Sequence, residues 1–438
     1  MKTLYFIFLT LLSSQAFSKA RELDDLIQAA NESSLAQKAA NENVNAANIE
    51  KERSSKHWLP QVYLNGQSFL SSDPGAALFG KLAQREIQNS DFVADSLNHP
   101  ATSLYTKAVV GVNLPLYEGG QKFAINKAMT FMSEAKQLEA KAVQSEFTIE
   151  VVKNYFIGKN LNLEKSDLVK IKSTIDSIIS RYQVGNKQNL LGYSGLLGLK
   201  SLQNRITALL DENAAKSKAS EKALSELSGV KAELNYDSSS NFNSLLKEYL
   251  SFSENNYVAS KKIQSYFENA KSAKEIIDAE KSRNLPRVGL FGEGYALNGE
   301  RNLGKGFTAG VYLNWNLFSG NDYGADLEAN HKSRAAQYFA EASLQKEKVE
   351  YNGLKDGLEA VNHSLVLLDD SEKYLEEQTK ISHILFKNGL INALQYVEVL
   401  SRRVDLIKSK SMAQDELISI HSQLAKNTHE TNSKGASL

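Results

Sequence analysis

Seven histidines are the first candidates for chemistry in this 438-residue chain, because imidazole is a common general base and metal ligand. They are scattered, with no H-E-x-x-H or similar ligand spacing. There is no cysteine, which excludes disulfides, thiolate metal sites, thiol nucleophiles and an N-terminal lipidated cysteine. Asp24-Asp25 and Asp369-Asp370 are paired carboxylates, but such pairs are common on solvated helices. Gly292-Glu293-Gly294 precedes neither a helix nor a phosphate-binding pattern and reads as strand glycine. No Walker sequence is present, so any energy must come from a partner. These residues define no enzyme and imply neither cofactor nor metal. Lysine plus arginine equal aspartate plus glutamate, at 51 each, which argues against a nucleic-acid binder with its clustered basic face.

The elements around these residues say more. Lys2, an apolar run from Leu4 to Leu12 and small residues up to Ala20 form an export signal, expected over 1–20. All five prolines fall in two zones, Pro60 to Pro115 and Pro286. Proline costs about 3 kcal/mol in a helix interior, so the long proline-free stretches rich in Ala, Leu, Lys, Glu and Gln read as very long helices. One of about 60 residues would be about 90 Å long, which calls for packing along other helices in coiled-coil fashion.

The proline zones alternate instead. Phe307, Ala309, Val311, Leu313, Trp315 and Leu317 fall on one face; Thr308, Gly310, Tyr312, Asn314 and Asn316 fall on the other. This is a strand pattern of the length of a tilted transmembrane β-strand. Tyr105 to Leu114 repeats it, with Val109 as an exception on the polar face, and Val62 to Leu70 and Val288 to Ala296 alternate less cleanly. Trp58, Tyr63, Tyr105, Tyr117, Phe307, Trp315 and Phe318 cluster at the strand margins, as in the aromatic girdles of membrane barrels.

The chain also repeats. Leu59-Pro60-Gln61-Val62 matches Leu285-Pro286-Arg287-Val288, and Asn113 to Gly119 matches Asn314 to Gly320. Arg181 to Gly185 matches Leu385 to Gly389. Matches in one order mean duplication: a first repeat over 21–230, a linker over 231–250, a second repeat over 251–430 and a disordered tail over 431–438. Each repeat carries a strand hairpin (59–117 and 285–319) and a long helical hairpin, and the first strand hairpin has the longer loop, about Ser71 to Leu104. Four strands cannot close a barrel, and an open edge in lipid is costly. Two chains would supply eight strands and three would supply twelve.

This layout resembles the TolC-like family of outer-membrane efflux and secretion channels. The resemblance lies in Leu59-Pro60, the strand ends Leu116-Tyr117-Glu118-Gly119-Gly120 and Leu317-Phe318-Ser319-Gly320, and the helix-tip turns at Gly185 and Gly389. Phe79-Gly80-Lys81-Leu82, Asp91-Phe92 and Leu97-Asn98-His99-Pro100 also look like loops of members. The fold implied is mainly α with a β-barrel part: a long α-helical coiled-coil tunnel plus four transmembrane β-strands per chain. A homotrimer would close one twelve-stranded barrel. The resemblance also implies outer-membrane lipid around the barrel, a tunnel in the periplasm, and a periplasmic adaptor protein and an inner-membrane transporter as partners. The chain would be the passive exit duct of a tripartite efflux pump or type I secretion system. An exported coiled-coil adaptor that bridges envelope layers without conducting is the alternative.

The resemblance assigns adaptor docking to the tip turns, with Gly185 and Leu190 in the first half and Gly389 and Leu394 in the second. Where members carry an Asp six residues after the turn glycine, this chain has Leu191 and Gln395. Glu398 retains a further acidic position and Phe386 an aromatic one. The pore constriction expected from this is a ring of Glu398 with Gln395 as a neutral ring beside it; a solvated Glu398–Arg402 pair is the other reading.

Overall fold

A computed structural model describes residues 23–182, 189–230, 236, 242–253 and 256–427. The expected export signal, the Gly185 turn, the tail and most of 231–241 lie outside the described residues. Helices α1 (Leu23–Ser33) and α2 (Leu35–Ser55) lead into strand β1 (Gln61–Ser71). Next come α3 (Pro74–Ala83), a 3-10 turn (Asn89–Phe92), α4 (Ala94–Asn98) and β2 (Ser103–Glu118), then α5 (Gln121–Arg181) and α6 (Leu190–Ser228). The second half runs α7 (Phe242–Tyr249), α8 (Lys261–Lys281), β3 (Arg287–Asn298), β4 (Gly304–Asn314), α9 (Ala325–Lys387) and α10 (Ala393–Leu424). Among the described residues the chain is thus mainly helical with one four-stranded sheet.

Among the described residues the longest helices lie in the proline-free stretches: α5 has 61 residues and α9 has 63. Among the described residues no helix is long and apolar enough to cross a membrane. Gly158, inside α5, has a packing cause: a Cβ there would collide with the ring of Tyr236.

The chain divides into two compact units that cut across the sequence repeat, each drawing on both halves. The helical unit comprises Met1–Asn41, Leu138–Gln264 and Ala342–Leu438. One of its apolar clusters joins α1, α5, α6, α7 and α10 through Leu26, Phe156, Leu224, Leu246 and Ile418. A second joins α5, α6 and α10 through Ile175, Leu199, Ile206, Tyr396 and Leu400. Burying each such side chain contributes about 1.5–3 kcal/mol. Along α5 between the clusters lie Asn160 and Glu164, both buried. Glu164 accepts from the Ser411 hydroxyl at 2.6 Å and pairs with Lys408 at 3.1 Å. Asn160 donates to the Ser411 carbonyl and to Asp415, both at 2.8 Å. The buried charge is therefore partnered, as burial demands.

The second unit, Glu42–Gln137 and Ser265–Glu341, holds the sheet. It is antiparallel in the order β1-β2-β3-β4. β2 extends beyond the expected Leu114 to Glu118, with a register shift between Pro115 and Tyr117. Proline cannot donate to a ladder, and a bulge is where a strand tolerates it. β4 ends at Asn314, short of the expected Leu317. Trp315 leaves the ladder, and its indole N–H donates to the Asn284 carbonyl at 3.1 Å. The long loop expected from about Ser71 to Leu104 contains α3, the 3-10 turn and α4. Asp73 caps α3, accepting from the Ala76 N–H at 2.7 Å, with Pro74 in the first turn.

Candidate functional site

Strand register decides which residues share a face. Val62, Val112, Gly292 and Ala309 lie in one row across the four strands, and Leu64, Val110, Gly294 and Phe307 in another. Leu114, Leu290 and Val311 continue the same face. Its large side chains are exposed: Phe307 is 83% and Leu64 75% accessible. The opposite face carries Gln61, Asn113, Phe291 and Gly310 in one row and Tyr63, Gly111, Glu293 and Thr308 in the next. Val109, Tyr295 and Gly306 follow, then Gln67, Lys107, Leu297 and Gly304. The sheet is therefore apolar on one side up to the rows with Lys305 and with Ser68, Thr106 and Asn298 near the hairpin turns, and mixed polar and aromatic on the other, with Val109 on the polar side.

The aromatic rings of the polar face lie down on glycines of neighbouring strands. A Cβ on Gly289 would come 2.5 Å from the Tyr312 hydroxyl, and one on Gly306 would come 2.5 Å from that of Tyr295. Phe291 over Gly310 (3.0 Å) and Tyr63 over Gly111 follow the same rule. Only glycine leaves room for a ring laid flat against the backbone. Tyr63 donates to Glu293, and the Lys107 ammonium lies 5.9 Å from the Tyr295 ring centroid, within cation–π range.

The expected girdle residues divide accordingly. Phe307 and Tyr117 stand on the apolar face. Trp58, Trp315 and Phe318 are exposed beyond the strand ends. Tyr63 and Tyr105 differ from the expectation, because alternation along β1 and β2 turns both to the polar face. Tyr105 is buried there and stacks on Phe69 with centroids 5.6 Å apart.

At the junction of α9 and α10, Gly389 has φ +70°. The Leu390 N–H donates to the Leu385 carbonyl at 2.9 Å and the Gly389 N–H to the Phe386 carbonyl at 3.0 Å. This is the Schellman arrangement that ends a helix through a left-handed glycine. Asn392 then caps α10, accepting from the Gln395 N–H at 2.9 Å. The Gln395 side-chain oxygen accepts in return from the Asn392 N–H at 3.0 Å. Gln395 is thus turned back to its own helix start. An Asn-x-x-Gln spacing before an apolar run was the local signal for this capping box. Glu398 pairs with Arg402 at 2.6 Å, both exposed.

Phe386 stacks between Tyr182 and Tyr396, at 6.3 Å and 5.2 Å between centroids. Tyr396 is fully buried, and His383 Nδ1 lies 3.1 Å from its hydroxyl. Burial holds the Tyr396 phenol above its ordinary pKa, against the charge of Arg403. α6 approaches α10 closely, since a Cβ on Gly195 would come 2.6 Å from that of Ala393. Leu190, Leu390 and Leu394 stay exposed at these helix ends. Gly185 lies outside the described residues. Among the described residues no group of three or more His, Asp or Glu could hold a metal ion.

No protein-family model and no curated protein matches the sequence. Solved structures do match. The outer membrane protein VceC of Vibrio cholerae is 14% identical with a TM-score of 0.74, over 93% of this chain and 97% of its own. The Campylobacter jejuni CmeC outer membrane channel is 13% identical with a TM-score of 0.73, over 96% and 91%. The MtrE outer membrane channel of Neisseria gonorrhoeae, solved in its open state, is 14% identical with a TM-score of 0.73, over 92% and 88%. At these identities the likeness is one of fold.

Proposed function

We propose that this chain, whose fold is that of the TolC-like outer-membrane channels, is one protomer of a passive outer-membrane exit duct. The observation that carries the reading is the sheet. It exposes a continuous apolar face, and among the described residues the outer edges of β1 and β4 have no strand partner. An isolated sheet of this kind in water would aggregate. In lipid the apolar face is solvated and only the edges need partners. Both edge strands are 11 residues long, so β4 of one copy can pair with β1 of the next. Three copies close a twelve-stranded barrel with the polar face inward.

The helices also call for other copies. Leu367, Tyr374 and Ile381 of α9 recur every seventh residue and are all exposed, the spacing of a coiled-coil seam. The duct supplies no energy. An inner-membrane transporter and a periplasmic adaptor supply and dock cargo, as in efflux or type I secretion, with the adaptor on the tip surface around Gly389, Leu190 and Leu394 and, in the first half, Gly185. In this reading Glu398 lines the periplasmic entrance.

Membrane fractionation, native mass spectrometry and planar-bilayer recording test the reading together. The expected results are recovery with the outer membrane, a trimer in detergent, and ion conductance. A stable monomer would sink the shared barrel. A membrane trimer that never conducts would favour the non-conducting adaptor instead. For Glu398, the expected result is a changed reversal potential in asymmetric potassium chloride for Glu398→Gln; an unchanged one leaves only the Arg402 pair.

A further inference from the structure

The segment joining β1 to β2 folds back over the polar face of the sheet. Tyr105 on that face is only 2% exposed because α3 lies on its ring; a Cβ on Gly80 would come 2.8 Å from its Cε1. On the other hairpin, Gly304 pairs with Leu297 and so faces the polar side. A side chain there would run into the Ala83 carbonyl and lie 2.7 Å from the Gln84 Cα. A Cβ on Gly299, in the β3–β4 turn, would come 2.7 Å from Gln84 Nε2. The segment therefore reaches across the sheet to the second hairpin with backbone-close contact.

One buried carboxylate, Asp91, and three partly buried charges hold it there. Lys81 of α3 pairs with Asp91 at 3.2 Å and with Glu300 at 3.1 Å. Arg301 pairs with Asp91 at 2.7 Å and also donates to the Glu86 carbonyl. Ser103 donates to Glu300 at 2.8 Å, and the Gln88 N–H donates to Asp91 at 2.7 Å. The Lys81 and Asp91 side chains are only 14% and 6% exposed. Removing one partner from such a cluster leaves another partly buried charge uncompensated, which favours release of the segment.

The contact lies at the end of the strands opposite the long helices, which all join the sheet at its other end. We propose that residues 74–98 form a lid over the outer mouth of the duct, with Lys81, Asp91, Glu300 and Arg301 as its latch. This rests on the barrel reading, in which the polar face is the lumen wall. Three lids, one per copy, narrow the exit and set the size of solute that passes while the latch is closed.

The chain has no cysteine, so a single introduced thiol reports access cleanly. Thr308→Cys places it on the polar face, further in than Gly304. Intact cells carrying the full chain are treated from outside with a small maleimide or a bulky polyethylene-glycol maleimide. The backgrounds are the otherwise native chain, Asp91→Asn with Glu300→Gln, and replacement of 75–98 by a short Gly-Ser linker. The small reagent should label all three alike, which also shows that each has assembled. The bulky reagent should react slowly with the native lid and about tenfold faster or more without the latch, the change that losing a charge-assisted hydrogen bond brings. It should react fastest with the linker, which leaves every strand in place. Equal bulky-reagent rates in all three would overturn the lid. The barrel reading has its own control in Val311→Cys on the apolar face: lipid should shield it from both reagents, and labelling as fast as Thr308→Cys would overturn that reading.

Discussion

Phe156, Leu246 and Leu400 of the helical unit are at most 1% exposed, while Leu64, Phe307 and Val311 of the sheet are at least 67% exposed. Both sets obey the periodicity of their element. The difference lies in what covers the apolar stripe: other helices of the same chain in one case, and nothing among the described residues in the other. Charges show the converse. In the helical unit Glu164 is buried with Lys408, whereas in the sheet Lys107 and Glu293 lie on the face that also carries the rings. An apolar side chain is inside only relative to its solvent, and in the proposed barrel the solvent of the sheet's apolar face is lipid.

The largest expected effect tests the helical side of that contrast. Phe156→Ala empties a fully buried site in the first apolar cluster and should cost about 3–5 kcal/mol, read as a lowered denaturant midpoint. On the sheet, Val311→Arg should cost about 2–4 kcal/mol if lipid covers that face near mid-bilayer, seen as lost barrel assembly. Thr308→Arg, on the other face, should assemble normally; equal defects in the two would end the distinction between faces. At the tip, Gly389→Val forces a β-branched residue to positive φ and should cost about 1–2 kcal/mol. The expected signature is a lower melting temperature and weaker adaptor cross-linking with barrel insertion intact.

Acid should loosen the lid without removing it. Asp91 is held below its ordinary pKa first by the Gln88 N–H, against burial, with Lys81 and Arg301 adding to the shift. Burial alone would raise Glu300, but hydrogen bonds from Ser103, Lys81 and Tyr105 outweigh it and lower the pKa. Lys81 is pushed down by burial and up, by more, by Glu300 and Asp91. Carboxylates with depressed values contribute fully at neutral pH and lose that contribution as the pH falls through them, below about 4. Hydrogen-exchange protection of 74–98, corrected for intrinsic rates, should therefore fall at pH about 3 relative to β2. The Arg301 bond to the Glu86 carbonyl carries no titrating acceptor and persists. The smallest effect is expected at the exposed Glu398–Arg402 pair, where Glu398→Gln should change stability by only about 0.3–0.5 kcal/mol, measured by thermal melting.

Much of this architecture was legible in local patterns. Absence of proline marked α5 and α9, and alternation of Phe307, Val311 and Leu313 against Thr308 and Tyr312 marked β4 and its two faces. Margin aromatics were less informative. Alternation along β1 and β2 puts Tyr63 and Tyr105 on the polar face, over Gly111 and beneath α3, whereas only the register shift after Pro115 turns Tyr117 to the apolar face. Gln395 could have been placed, because its partner Asn392 is three residues away and the pattern is local. The lid could not: Arg301 and Asp91 stand 210 residues apart, and nothing near either announces the other.

The sequence by itself determined element type and facing, because helix and strand periodicities repeat within a few residues and hydrophobic burial acts on each stripe separately. It also determined that four strands leave two edges and an apolar face for something outside the chain to cover. Tertiary structure alone decided which ring meets which glycine, where β2 shifts register, and that the β1–β2 segment crosses to the second hairpin. Those contacts join residues far apart in the chain. Shape and charge select them only after the elements have formed and the backbones have come close enough for a single Cβ to matter.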